Sequence, residues 1–409
     1  MPNISNKGLR IPASPIRRLT PFAEQAKREG KIVYHLNIGQ PDIATPEIML
    51  DAIKNISFKV WAYTPSEGFL SYREKLAGYY NNLGYDITAD NIIITNGGSE
   101  GFIIATQSCL DAGDEIIVPE PFYANYSGFA CMSDAIIKPV VSHIDNGFAL
   151  PPISEFEKLI TKKTKAIFIC NPNNPTGYLY SKTELEAIRD LCIKYDLYLF
   201  ADEAYRDFCY DGNEFVSPMH LEGIDEHVIV IDTVSKRYSA CGARLGFLIT
   251  KNKKVLATAL KFAQARLSAG MVEQLAGEAA INTPASYMEA VKQEYSERRK
   301  ILVEALNKME GVFCPNPGGA FYVVARLPID NADKFCQWIL EKFSFENQTV
   351  MMAPATGFYS TPDIGTDEVR LAYVLNKKDL ATAMVCLEKA LREYPGRTLK
   401  QEQLLEKIY

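Results

Sequence analysis

Residues 166–205 read AIFICNPNNPTGYLYSKTELEAIRDLCIKYDLYLFADEAY. Two short apolar runs, Ala166–Cys170 and Tyr198–Ala201, enclose a polar loop and a longer segment of helical period. That order is the unit of a parallel sheet covered by helices, because parallel strands need a crossover and bury both faces. The alternation continues outward from about residue 90 to residue 285, with further strands expected at Asn91–Thr95, Glu115–Val118, Ile136–Val140, Val228–Ile231 and Gly246–Thr250. Turn chemistry follows nearly every strand: GG at 97, PEP at 119, NPNNPTG at 171, DE at 202 and SK at 235. Ligands of open α/β sheets bind beyond the carboxyl ends of the strands, so one site fed by several loops is expected.

After Pro284 the pattern changes to a long charged helical stretch, Tyr287 to Met309, and then to strands around Gly319–Arg326 and Val369–Tyr373. This reads as a smaller α+β domain. The first forty or so residues, rich in Pro, Arg and Ser, form an arm that cannot make a core alone. At 409 residues the chain is too long for one ordinary core. A 47% hydrophobic and 23% charged composition excludes disorder and fibrous folds. With a net charge of -6 and no long basic run, no nucleic acid or anionic membrane partner is expected. No apolar run reaches the roughly 18 residues of a membrane helix. The N-terminus has arginines and prolines where a secretory signal needs an apolar core, so a cytoplasmic location is expected. The nine cysteines form no C-x-x-C pair and the four histidines no H-E-x-x-H motif; free thiols and no metal are expected.

Four stretches carry chemistry. In TVSKRYSACGARLGF, residues 233–247, Lys236 follows an apolar strand and stands among small and hydroxyl residues, where desolvation favours a nucleophilic amine able to form a Schiff base. Arg244, between glycines, is suited to a bidentate pair with phosphate. For S-K alone, a surface lysine is the simpler reading. In ADEAY, residues 201–205, Asp202 ends a strand where its charge can keep a ring nitrogen protonated, with Tyr205 three residues on; a helix N-cap is the alternative. In NPNNPTG, two prolines fix the Asn171, Asn173 and Asn174 amides as placed donors and acceptors. In ITNGGSEG, residues 94–101, a helix starting near Ser99 offers either an anion site or an ordinary cap.

In their chain order the four stretches resemble fold type I pyridoxal-phosphate enzymes, specifically the class I/II, aspartate-aminotransferase-like family, over about Leu36 to Ala390. The resemblance implies a seven-stranded, mainly parallel cofactor-binding domain at 48–284, an arm with part of a small domain at 1–47, and the rest of the small domain at 285–409. It implies pyridoxal 5'-phosphate held as an aldimine on Lys236. Gly98, Ser99, Thr233 and Arg244 match the phosphate ligands, and Asp202 matches the carboxylate at the pyridine nitrogen. Asn174 and Tyr205 match the partners of the ring hydroxyl, and Tyr123, in EPFYANY, the stacking aromatic. Arg370, in EVRLAYV, matches the clamp on the substrate α-carboxylate, with Gly39 of LNIGQPD near it. Tyr63, in YTPSEG, matches a tyrosine that reaches the neighbouring subunit's phosphate, which implies a homodimer.

Glu100 stands where many members of the resembled family carry Gln, and Ser235, Tyr238 and Cys241 are assigned to packing and local hydrogen bonding. No motif marks a reader of a distal carboxylate: Arg266 is out of register and better suited to a structural ion pair, and Arg17 and Arg18 are weaker candidates still. The implied activity moves an amino group from an L-amino acid, aspartate favoured over alanine, aromatic and methionine donors, to 2-oxoglutarate through pyridoxamine phosphate. The alternative is a C–S β-lyase or an aminocyclopropane-carboxylate-synthase-like enzyme on the same scaffold. A regulatory ligand-binding module needs an attached DNA-binding domain, for which the arm is too short.

Overall fold

The computed structural model describes residues 2–399. Strand β1 (Ile32–His35) precedes seven strands that form one sheet: β2 (Ile92–Thr95), β3 (Glu115–Glu120), β4 (Ile136–Val141), β5 (Thr164–Cys170), β6 (Tyr198–Asp202), β7 (Val228–Thr233) and β8 (Gly246–Ile249). Their order is β2-β8-β7-β6-β5-β3-β4, parallel throughout except that β8 runs antiparallel to both neighbours. All seven strands expected from the sequence form, with shifted ends. β3 runs through Pro119, which the sequence reading gave to a turn. Beyond Ile117 that strand pairs only with β4, so a proline there breaks no ladder on its other side.

Side-chain alternation sorts the central strands onto two cores. Ile167, Ile169, Leu199, Ala201, Val228 and Val230 pack on one face, and Phe168, Cys170, Phe200, Ile229 and Ile231 on the other. The same period of two puts Asp202 and Thr233 on the face of Phe200 and Ile231. The crossover helix Lys182–Tyr195 that joins β5 to β6 starts with a reciprocal cap, Ser181 Oγ accepting from the Glu184 amide and the Glu184 carboxylate from the Ser181 amide. It stops at Asp196, whose left-handed backbone (φ 53°) turns the chain toward β6.

The remaining strands are β9 (Tyr322–Arg326), β10 (Gln348–Met351), β11 (Ala353–Pro354) and β12 (Glu368–Ala372). β12 lies between β11 and β9, antiparallel to both, and β1 runs parallel to β10, so residues 32–35 of the arm are built into the C-terminal part of the chain. Helices Ala285–Lys308 and Lys377–Glu393 pack on each other. Register lines Cys170, Asp202 and Ile231 across β5–β7, and places Gly246 beside both Thr233 and Thr95. The carboxyl ends of the parallel strands and the start of β8 thereby share one edge.

Candidate active site

A cavity of about 320 Å³ opens at that edge. Its wall includes Gly39, Gly98, Ser99, Tyr123, Asn174, Asp202, Tyr205, Thr233, Lys236, Arg244 and Arg370, every residue matched to a cofactor or substrate role by the resemblance except Tyr63; Asn171, Asn173, Glu100 and Arg266 lie outside it. Tyr63 is 80% exposed and lies outside the wall of this single chain.

The phosphate-type corner is made by close backbone packing. Gly97 adopts φ 78°, and a Cβ on it would lie 2.4 Å from an Arg244 guanidinium nitrogen. A Cβ on Gly246 would fall 2.6 Å from the Gly97 carbonyl carbon and 2.7 Å from the Gly98 nitrogen. These glycines let β8 and the arginine press against the start of helix Gly98–Cys109, whose first amides receive no side-chain cap. Uncapped amides and a guanidinium at the positive end of a helix dipole favour an anion. Thr233 Oγ1 donates to Leu245 O (2.7 Å) and meets Ser235 Oγ (2.8 Å), which brings Ser235 into the wall. Glu100 turns away from this corner. It accepts from the Asn96 amide (2.7 Å) and pairs with Arg266 (3.1 Å), which also donates to Ile94 O (2.6 Å), the structural ion pair expected of that arginine.

Asp202 is 6% exposed and has no arginine or lysine partner among the described residues. It accepts from Tyr126 Oη (2.6 Å) and the Ala204 amide (3.0 Å). Burial pushes its carboxyl up to about 6, against the lowering effect of those two hydrogen bonds. A buried carboxylate with only neutral donors fits a cationic ring nitrogen. Lys236 Nζ donates to Gly39 O (2.9 Å) and lies 3.5 Å from Cys241 Sγ, so Cys241 touches the lysine as well as packing beside it. A Cβ on Gly39 would lie 1.7 Å from Tyr322 Oη, so any larger residue there would displace that ring. That hydroxyl is 2.8 Å from Tyr205 Oη, and Asn174 Nδ2 reaches Tyr205 Oη at 3.5 Å.

Arg370, on β12, is 1% exposed. It donates to Asn174 Oδ1 (3.0 Å) and to Asn37 O, and stacks over Tyr322 and Phe358 at 4.6 and 4.7 Å. Its Nε has no partner, and among the described residues no carboxylate pairs with it. Burial lowers its pKa, as expected for a cation lacking a counter-ion. Tyr126, Tyr322 and Asn37 were not singled out from the sequence. Tyr126 carried a signal, being three residues after Tyr123 in EPFYANY, in the first turn of helix Asn125–Met132; Tyr322 and Asn37 carried none. Among the described residues no cluster of His, Cys, Asp and Glu can hold a metal ion, and no helix is long and apolar enough to cross a membrane.

The family model for aminotransferase class I and II matches residues 31–385. An aspartate aminotransferase of Pyrococcus horikoshii is 34% identical over 95% of this chain and 97% of its own. The crystal structure of aspartate aminotransferase from Thermotoga maritima superposes with a TM-score of 0.87 at 30% identity, covering 95% of this chain and 100% of that one. An alanine aminotransferase from Pyrococcus furiosus gives 0.88 at 30% identity, covering 96% and 100%. A match of this length, on a chain whose cavity already offers an anion corner, a buried carboxylate and an unpaired buried arginine, places the protein in the aminotransferase class I and II family, as a pyridoxal-phosphate-dependent aminotransferase.

Proposed function

We propose that the enzyme takes the amino group of L-aspartate and delivers it to 2-oxoglutarate. Arg370 carries the substrate side of this reading: a buried guanidinium with no counter-ion and a free N–H suits an anion that arrives with the substrate. Aspartate is favoured because aspartate aminotransferases recur among the relatives. We assign cofactor binding to a domain of residues 48–284, and a smaller domain to residues 1–47 and 285–409.

The Gly98 amide, Ser99, Thr233 and Arg244 hold the phosphate of the cofactor, Asp202 its ring nitrogen, Asn174 and Tyr205 its ring hydroxyl, and Tyr123 its ring face. When bound, pyridoxal phosphate supplies a carbonyl carbon reactive toward amines and a ring that stores an electron pair. Asp202 keeps a proton on the ring nitrogen, a task suited to a carboxylate with no other cation. Lys236 Nζ moves the proton at the substrate Cα, held by Gly39 O and Cys241 Sγ. Arg370 and Asn174 fix the α-carboxylate beside Gly39 and so orient the Cα–H bond, a positional contribution. A donor panel tests the substrate: with 2-oxoglutarate fixed, kcat/KM is expected to be highest for aspartate, and a higher value for alanine or phenylalanine would refute the assignment.

The working unit in this reading is a cytoplasmic homodimer. Val60, Trp61, Tyr63 and Leu267 are 72, 71, 80 and 55% exposed, and Ser66 Oγ donating to Leu267 O (2.6 Å) brings the two segments together. An apolar surface of this kind is suited to a second copy, and Tyr63 on it reaches the partner's phosphate. The nine free cysteines suit a reducing compartment. Sedimentation equilibrium of the holoenzyme is expected to give a dimer at assay concentration. A fully active monomer would contradict both the dimer and the role of Tyr63.

A further inference from the structure

Ser14, Ile16 and Arg17 form part of the cavity wall, beside Ile38, Gly39 and Gln40. The stretch around them is fastened at three points. Pro15 packs so closely on Gly357 that a Cβ there would lie 2.2 Å from the proline ring. Ile16 O accepts from Asn37 Nδ2 (3.4 Å), and the carbonyl of the same Asn37 accepts from Arg370. Arg18 pairs with Asp333, whose other oxygen accepts from Thr356 Oγ1 (2.8 Å). The Arg17 and Arg18 amides both donate to Ser14 O (3.2 Å), closing the turn.

Arg17 is left over. Among the described residues its guanidinium makes no ion pair and no side-chain hydrogen bond, while its neighbours are committed to the C-terminal part of the chain. Arg17, Tyr123 and Arg370 line the same cavity, and the charges of both arginines oppose the burial that pushes the Tyr123 phenol up to about 12. The other arginines weighed for a second carboxylate are engaged, Arg18 with Asp333 and Arg266 with Glu100. Apart from Arg244 in the corner with Gly97 and Gly98, the cavity has two guanidinium groups without a carboxylate partner, one buried and one at its mouth, which match a molecule with two carboxylates.

We propose that Arg17 binds the distal carboxylate of the donor and of 2-oxoglutarate, so that the enzyme is selective for dicarboxylic substrates. This deepens the aspartate reading and rests on it. Arg370 takes the carboxylate common to all amino acids, and Arg17 takes the one that only acidic substrates carry. Asn37 links the two, its side-chain amide donating to Ile16 O in the Arg17 turn and its carbonyl accepting from Arg370.

Calorimetry of the holoenzyme with succinate, which has two carboxylates, and butyrate, which has one, separates the possibilities. The wild type is expected to bind succinate more tightly. Arg17→Gln is expected to weaken succinate about 10- to 100-fold and to leave butyrate within about 2-fold, the loss of one charge-assisted pair. Arg17→Lys, which keeps charge without the planar fork, should recover part of the loss. The aspartate-to-alanine ratio of kcat/KM should fall by the same factor in Arg17→Gln. Equal weakening of both ligands, or an unchanged succinate preference in the variant, would overturn Arg17 as the reader while the aspartate reading stands. A wild type that binds succinate no better than butyrate would overturn both.

Discussion

Lys236→Ala is expected to lower kcat roughly a thousandfold or more while leaving the protein folded and able to bind cofactor. In the proposed mechanism the lysine is both the amine that attaches the cofactor and the base at the substrate Cα, and loss of a positioned acid–base group alone costs about 10²–10⁴-fold. The fold should survive because Nζ bonds only Gly39 O and Cys241 Sγ, at the edge of a polar cavity where truncation leaves no apolar void. Borohydride treatment followed by peptide mapping provides the check. Wild type should carry reduced cofactor on Lys236 and the variant none; a reducible attachment retained in Lys236→Ala would show that another lysine does the work.

Asp202→Asn should act in opposite directions on catalysis and on stability. An amide cannot hold a proton on the ring nitrogen, so kcat should fall roughly a hundred to several thousandfold, the range for breaking a buried charge pair. In the cofactor-free protein the same substitution should stabilise. Burial raises the carboxyl from its ordinary 3.8 to about 6, so the ionised form is penalised in the folded state. With the folded value above the unfolded one, cofactor-free wild type loses stability as pH rises from 3.8 through about 6. That rise of the carboxyl pKa corresponds to roughly 3 kcal/mol. The variant, which does not titrate, should match wild type near pH 4 and exceed it above pH 6 in urea midpoint. A difference independent of pH would mean that the carboxylate is not held against desolvation.

The central sheet was legible because its strands are near-continuous apolar runs separated by turn residues, and burial on both faces leaves few other arrangements. Strand ends were less legible: Pro119 reads as a turn in isolation, and only the one-sided pairing of that part of β3 makes it acceptable. Lys236, Asp202 and Asn174 could be singled out because each lies at or a few residues beyond the carboxyl end of a strand that faces the cavity. Tyr322 and Asn37 come from distant parts of the chain and reach the site only when β9 and the arm fold against β12, so no local pattern marks them. Glu100 shows a further limit. A carboxylate in the first turn of a helix reads equally well as a ligand or a cap, and its pairing with Arg266 depends on a segment 166 residues away.

A single-turnover reaction of the holoenzyme with aspartate and no 2-oxo acid addresses the aminotransferase assignment most directly. One equivalent of oxaloacetate per site is expected, with conversion of the cofactor to its amine form and no free ammonia. Later addition of 2-oxoglutarate should restore the starting spectrum and yield one equivalent of glutamate. Continuous release of ammonia without any 2-oxo acid, or no spectral change with any amino acid, would contradict the assignment.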